Sequence, residues 1–311
     1  MLTAIQAPVA AQVAIDDAIA CEHLRELDLR FDAKAGILWK FIARTSTPHF
    51  SHQQLDDIRT VQNGVRDGLH FDLPGYDAAR LKYLVFGSRL PGIFSLGGDL
   101  RLFRELIAKR DRHGLEAYSR KATDAIFHHA ANTADVMTFS LVQGSAMGGG
   151  FEATLAGNVI IAERGSRLGF PEVLFGLFPG MGAYTLLRRR VDSVTAERII
   201  LSAKNYLAEE LVEMGVIDVL CEPGEGESAV YSYISRQAHR PGVLAFRRAL
   251  NRARALDRKE LYDIAGEWVE TALTLSHEHL KRIDRLVAGQ RKLDLVGEGA
   301  GAPTIKMVGR D

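Results

Sequence analysis

The sequence predicts an α/β protein with crossover connections. Short apolar runs at 82–87 (KYLVFG), 136–143 (VMTFSLVQ) and 157–163 (GNVIIAE) read as strands buried on both faces. The first two give way to glycine-rich loops, at 94–99 and 144–150, and then to helical sequence. Alternation of this kind lays helices over a largely parallel sheet.

The elements follow in order. Residues 1–23 are a lead-in or short helix, and 25–31 and 36–42 are β-like runs joined by the turn-like Ala33-Lys34-Ala35-Gly36, hence a hairpin. Residues 51–68 read as a helix ending at Gly68, and helical sequence also runs from the 94–99 loop to about 132. A short helix separates the 144–150 loop from the 157–163 strand. From about 183 the pattern is helical, with one β-like run at 216–220. The segment 241–259 reads as one amphipathic helix, with Arg247, Arg248, Arg252, Arg254 and Arg258 on one arc and Phe246, Ala249, Leu250 and Ala253 opposite. Residues 290–311 read as a loose, glycine-rich tail. Three regions result: a lead-in at 1–23, a core at 24–222, and a helical region with its tail at 223–311.

Composition narrows the function classes. The 311 residues hold 39 Lys+Arg and 39 Asp+Glu, a net charge of zero, with 47 % hydrophobic residues. That excludes a disordered chain and argues against a nucleic-acid binder, which needs an excess of bases. No apolar run reaches the roughly 18–20 residues of a membrane span, and the first twenty residues carry no basic residue of a signal peptide. Two distant cysteines, Cys21 and Cys221, fit a reducing cytoplasm, so the expected location is cytoplasmic. His277 and His279 stand two apart without a Cys pairing, and no metal site is expected.

Chemistry is expected just beyond the buried strands. Phe94-Ser95-Leu96-Gly97-Gly98-Asp99-Leu100 and Gly148-Gly149-Gly150-Phe151-Glu152 are tight loops entering helices, where free N–H groups face developing negative charge. Two such loops on neighbouring strands would aim one N–H each at the same carbonyl oxygen. Gly169-Phe170-Pro171-Glu172 and Phe175-Gly176-Leu177-Phe178-Pro179-Gly180-Met181-Gly182 follow. Taken singly, each glycine loop is an ordinary connection, Glu152 a first-turn acid and Glu172 a surface carboxylate. Neither a phosphate-binding Gly-Lys-Ser/Thr nor a dinucleotide G-x-G-x-x-G is present in these loops.

In combination and order, these segments resemble the crotonase (enoyl-CoA hydratase/isomerase) superfamily, strongly over about residues 24–222. Ala196-Glu197-Arg198 through Gly215-Val216-Ile217 is similar to the family's helical continuation. The resemblance implies a fold of repeated ββα units with a helical C-terminal appendage. It also implies oxyanion donors at Gly98 and Gly149, an acid/base pair at Glu152 and Glu172, and a homotrimer or hexamer. Keeping both glutamates favours hydration, dehydration or thioester hydrolysis over isomerisation.

Within the superfamily, Phe94 to Leu100, Phe170-Pro171-Glu172 and Leu177 to Tyr184 look more like the diffusible-signal-factor synthases of the RpfF type. That likeness implies dehydration of a medium-chain 3-hydroxyacyl thioester on acyl carrier protein to the cis-2-enoyl form, then hydrolysis to a quorum-sensing fatty acid. No cofactor is implied, since the pantetheine arm arrives with the substrate, and a regulatory signalling protein is a further expected partner. Arg247 and Arg252, together with Arg101, Arg104, Lys109, Arg110 and Arg112, are candidates to dock an acidic carrier, against the alternative of solvated helix faces. Trp268 is a candidate acyl-pocket wall, against ordinary core packing. The rival functions are a degradative enoyl-CoA hydratase and a crotonase-like protein that mainly binds and regulates a partner.

Overall fold

In the first hairpin, Asp32 closes the turn by accepting the N–H groups of Lys34 and Ala35 at 2.9 and 3.0 Å. It joins β1 (Leu27–Asp32) to β2 (Ile37–Ile42) in antiparallel register, as the sequence predicts. The computed structural model describes residues 19–131, 136–238 and 240–296. The apolar runs become β3 (Tyr83–Ser88), β5 (Met137–Val142) and β7 (Val159–Glu163). They line up in parallel beside β2, with β10 (Val219–Cys221) at the far edge, in the order β1-β2-β3-β5-β7-β10. Burial on both faces explains why these strands read as continuous apolar runs rather than alternating ones.

A second sheet was not evident from the sequence. β4 (Ile93–Ser95) and β6 (Ser145–Met147) open the two glycine-rich segments, and β8 (Arg167–Gly169) and β9 (Asn205–Leu207) complete the order β4-β6-β8-β9. Successive strands β3/β4, β5/β6 and β7/β8 therefore each give one strand to either sheet, followed by a helical segment. That is the repeated ββα arrangement. The segments at 94–99 and 144–150 are thus not loops throughout, because their first residues pair in this small sheet.

Helices cover both sheets. α1 (His52–Asp67) is capped by Ser51 and ends at Gly68 with φ 66°, close to the predicted bounds. α2 (Leu100–Ala108) and α3 (Arg112–Ala131) follow β4, and α4 (Gly149–Leu155) follows β6. Then come α5 (Ala183–Leu187), α6 (Ser193–Leu201), α7 (Ala208–Glu213), α8 (Gly226–Ala238), α9 (Pro241–Ala253), α10 (Arg258–Leu273) and α11 (His277–Val296). α10 packs on α3, and α11 packs on α2 and on the short 3-10 turn Glu172–Phe175. The C-terminal helices thus lie against the elements that follow the glycine loops.

Three boundaries differ from the sequence reading. The strand expected at 216–220 begins only at Val219, because the N–H groups of Val216 and Ile217 turn back to the Leu211 carbonyl and close α7. The helix expected at 241–259 is two helices. Asp257 caps a new one by accepting the Lys259 N–H, which puts Arg258 on α10, paired with Asp124 at 2.6 Å and off the proposed arc. The tail expected from 290 is helical to Val296, and 297–311 lie outside the described residues, as do residues 1–18 of the lead-in. Among the described residues no helix is long and apolar enough to cross a membrane.

Candidate active site

The Gly98 loop is pinned from both sides by backbone bonds. Leu96 donates to the Pro48 carbonyl at 2.6 Å, Phe50 donates to the Gly97 carbonyl at 2.8 Å, and Asp99 donates to the Tyr118 hydroxyl at 3.3 Å. Tyr118 in turn donates to the Phe50 carbonyl at 2.6 Å, and Asp99 caps α2. Between these anchors the N–H of Gly98 meets no acceptor among the described residues. The second loop is held likewise. Gly148 donates to the Gly169 carbonyl at 2.9 Å, and its own carbonyl accepts from Phe151 and Glu152. The N–H of Gly149 meets no acceptor among the described residues.

The two loops touch. A Cβ built on Gly149 would lie 3.5 Å from the Gly98 nitrogen, and one on Gly97 would lie 2.9 Å from the Gly149 nitrogen. Parallel pairing of β4 with β6 creates this closeness, so the small sheet is what brings the two free donors together. The arrangement suits a carbonyl oxygen that gains charge during reaction.

Glu152 rises from α4 and is 1 % exposed. Its Oε1 accepts from the N–H groups of Met181 and Ala183 at 2.8 and 3.0 Å, which fix the carboxyl's orientation. Burial outweighs these two bonds and pushes its pKa up to about 7. Glu172 sits at the start of the 3-10 turn, with its residue partly exposed but its Oε2 buried and without a hydrogen-bond partner. Burial, with the Glu152 charge adding to it, lifts its pKa to about 8. Two carboxyls raised in one pocket give the pair a proton to donate and a site to receive one near neutrality.

Both glutamates, both donor glycines and Trp268 line one cleft of about 640 Å³, its open mouth included. The rest of its wall is mainly apolar, from Leu96, Leu100, Phe103, Phe175, Leu177 and Met181. That is the composition of a small-molecule site with few polar groups. Trp268 is 6 % exposed and packs edge-on against Phe103 at 5.0 Å. Gly180 is needed beneath it, since a Cβ there would run into the indole. Trp268→Ala is expected to raise KM for long acyl chains more than for short ones, and to lower stability by about 3 kcal/mol. Equal effects across a chain-length series would remove Trp268 from the acyl wall.

Among the arginine candidates with described side chains, none lines this cleft. Arg252 and Arg254 are exposed on or just after α9, and the side chains of Arg247 and Arg248 lie outside the described residues. The apolar arc opposite is largely exposed too, Phe246 at 63 %. In the second cluster Arg101 pairs with Glu105, Arg104 with Asp284 and Arg112 with Glu270, while Lys109 and Arg110 are exposed. Among the described residues no group of three His, Cys, Asp or Glu side chains is placed to hold a metal ion.

Sequence reasoning missed the residues that support the pair. Met181 and Ala183 follow the noticed Gly180, yet only the fold shows their N–H groups aimed at Glu152. Gly148 was read as loop, whereas a Cβ on it would overlap Oε1 of Glu172. Nothing local signals that Tyr118, from the middle of α3, braces the Gly98 loop.

The layered pair of sheets brings two adjoining free N–H groups and two buried carboxyls into one cleft. The enoyl-CoA hydratase/isomerase family profile matches residues 77–261, and the chain belongs to that family. The α subunit of the fatty acid oxidation complex of Pseudomonas syringae pv. tomato is 35 % identical over 101 residues, 32 % of this chain and 14 % of that subunit. The corresponding subunit of Pseudomonas putida is 27 % identical over 197 residues, 63 % of this chain and 24 % of its own length. The matched stretch thus spans a quarter or less of either relative. Human mitochondrial delta3-delta2-enoyl-CoA isomerase shares the fold at TM-score 0.69 and 14 % identity, covering 86 % of this chain and 99 % of that one. Pseudomonas aeruginosa DspI does so at TM-score 0.60 and 21 % identity, covering 85 % and 96 %.

Proposed function

We propose that the protein converts a medium-chain 3-hydroxyacyl thioester, carried on acyl carrier protein, into a free cis-2-unsaturated fatty acid of the diffusible-signal-factor type. The observation that carries this reading is the coexistence of two raised, buried carboxyls with two unoccupied N–H donors in one cleft. An isomerase needs one carboxyl to move a proton, whereas elimination of water needs a base for the α proton and an acid for the departing hydroxyl.

The neighbours of each carboxyl divide the roles: two N–H donors favour the ionised form of Glu152, and that charge favours the protonated form of Glu172. Glu172 is then the acid that protonates the β-hydroxyl as it leaves as water. Glu152, oriented by the Met181 and Ala183 N–H groups, removes the α proton. The N–H groups of Gly98 and Gly149 hold the thioester oxygen as it takes on enolate charge. In the second step a carboxylate of the pair takes a proton from water. The resulting hydroxide attacks the carbonyl carbon, the same two N–H groups hold the tetrahedral oxyanion, and as the C–S bond breaks the departing sulfur leaves as a thiol with the proton returned by that carboxyl. One water is lost and one is consumed. The opposed protonation states require a bell-shaped rate profile centred near neutral pH.

A second reading is a degradative enoyl-CoA hydratase, favoured by the family profile and by the oxidation-complex relatives. Purified protein is to be incubated with one 3-hydroxyacyl group on carrier protein and on CoA, and the products identified by mass spectrometry. Free enoic acid, formed faster from the carrier protein, supports the first reading. Product retained as a CoA thioester supports the second.

Docking of an acidic carrier is assigned to Arg247 and Arg252 on α9. Charge reversal at both positions is expected to raise KM for carrier-bound substrate several-fold with kcat little changed. Unchanged kinetics on that substrate would sink this docking surface.

A further inference from the structure

Behind the catalytic cleft lies an inner cavity of about 20 Å³, room for a water-sized group, whose chemistry the reaction does not use. Its walls come from α1, α3, β2, β3 and α4, and it shares Ala122 and Met181 with the cleft. Ala153 and Ala156, one and four residues beyond Glu152 on and just past α4, place it within about 6 Å of the catalytic carboxyl's level along the helix axis. Met181, an unbranched and adaptable side chain, forms the shared wall. Most of the lining is apolar, which makes three polar groups in it conspicuous.

Lys40 projects from the middle of β2, is fully buried, and its Nζ has no hydrogen-bond partner. Its contact is the face of Phe86, 4.2 Å from the ring centroid, on the neighbouring strand. His129, near the end of α3, is 3 % exposed; its ring faces the Phe139 carbonyl without a well-formed hydrogen bond and lies close enough to Lys40 for the two to repel as cations. Gln62 on α1 donates from Nε2 to the Ala125 carbonyl at 2.8 Å, but its buried Oε1 has no partner. Burial of a lysine costs several kcal/mol unless it is paired, so three unmet groups on one cavity are a destabilising arrangement for a purely structural core. Donors from Lys40 and His129 and an acceptor from Gln62 converge from three separate elements.

We propose that this inner cavity receives the far end of the acyl chain and that Lys40, His129 and Gln62 select chains bearing an oxygen there, as a hydroxyl, oxo or carboxylate group. Such an oxygen accepts from Lys40 and from His129, and a hydroxyl in addition donates to Gln62 Oε1. The inner cavity takes only the terminal group, the apolar wall of the main cleft holds the methylenes, and displacement of Met181 opens the way between them. A site built to hydrogen-bond an oxygen rejects an analogue lacking it, because its own buried groups then stay unpaired. This inference rests on the acyl-thioester reading of the main cleft.

The test uses binding rather than turnover. Non-hydrolysable thioether analogues of 3-hydroxyacyl groups, with plain, ω-hydroxyl and ω-carboxylate ends over a series of chain lengths, are titrated calorimetrically. At one length the wild-type chain is expected to bind an oxygenated end about tenfold tighter than the plain one. Lys40→Met, which removes a buried charge and is expected to fold, should bring that ratio to near unity. Gln62→Leu should reduce the advantage of the hydroxyl end more than that of the carboxylate end. Equal binding of plain and oxygenated ends by the wild type, or a preference that persists in Lys40→Met, overturns the proposal. Release of free acid from a plain-chain substrate is assayed in parallel. Free acid without end preference sinks only this inference, and end preference without free acid sinks only the proposed reaction.

Discussion

Glu152→Gln and Glu172→Gln are each expected to lower turnover roughly 10²–10⁴-fold, since an amide neither takes nor gives the proton that each step requires. Both chains are expected to fold, because Gln retains the volume of Glu. Each should also be more stable than the wild type at alkaline pH. Each carboxyl titrates near 4.5 when unfolded and near 7 or 8 when folded. Between those values the native chain binds more protons than the unfolded one, so stability falls as pH rises through the window and the loss is complete above about pH 8. Glu172→Gln escapes that loss. Its melting temperature should exceed the wild-type value by several degrees at pH 8 and match it below about pH 4.5, with an energy difference of order a few kcal/mol. A catalytically silent variant with an unchanged melting profile would place Glu172 outside a buried environment. Wild-type turnover in both variants would remove the pair as acid and base.

Gly148→Ala carries the second large effect. Gly148 has φ 53° and ψ −124°, a conformation that L side chains avoid, and a Cβ there would overlap Oε1 of Glu172. Strain of this kind costs about 1–3 kcal/mol. The new methyl also pushes the Glu172 carboxyl away from the cleft, and a displacement of about 1 Å is worth roughly 10²-fold in rate. A double variant tests the coupling. If the methyl acts through the carboxyl, Gly148→Ala combined with Glu172→Gln loses little more turnover than Glu172→Gln alone. Independent, additive losses would mean that the methyl damages the N–H donors instead.

The strands that bury both faces were legible because their apolar runs are long enough to stand out: β3, β5 and β7 fall within a residue or two of the runs at 82–87, 136–143 and 157–163. The second sheet was not. Its strands are three residues each and lie in glycine-rich sequence, too short for a period-two pattern to register. Without that sheet, the pairing of the two loops rests on the expectation that their strands are neighbours, and the choice of Gly98 and Gly149 within them on the superfamily resemblance. The break inside 241–259 did leave a local trace, since Asp257 and Glu260 have the spacing of a helix start. The arginine pattern running across it obscured that signal. Lys40 lies hidden in the run ILWKFI, where a charge in a strand reads as a solvent-facing residue. That it lines an inner cavity depends on α1, α3 and α4, which are remote in sequence.

The central claim is that one cleft eliminates water and then hydrolyses the thioester. The most direct measurement is incubation of the purified chain with a 3-hydroxyacyl-carrier protein in ¹⁸O-enriched water, followed by mass spectrometry. Free 2-enoic acid of cis geometry with one ¹⁸O in its carboxyl group is expected, and it should be absent from the Glu152→Gln and Glu172→Gln reactions. Enoyl product that remains wholly thioester-bound, with no labelled acid, would contradict the claim.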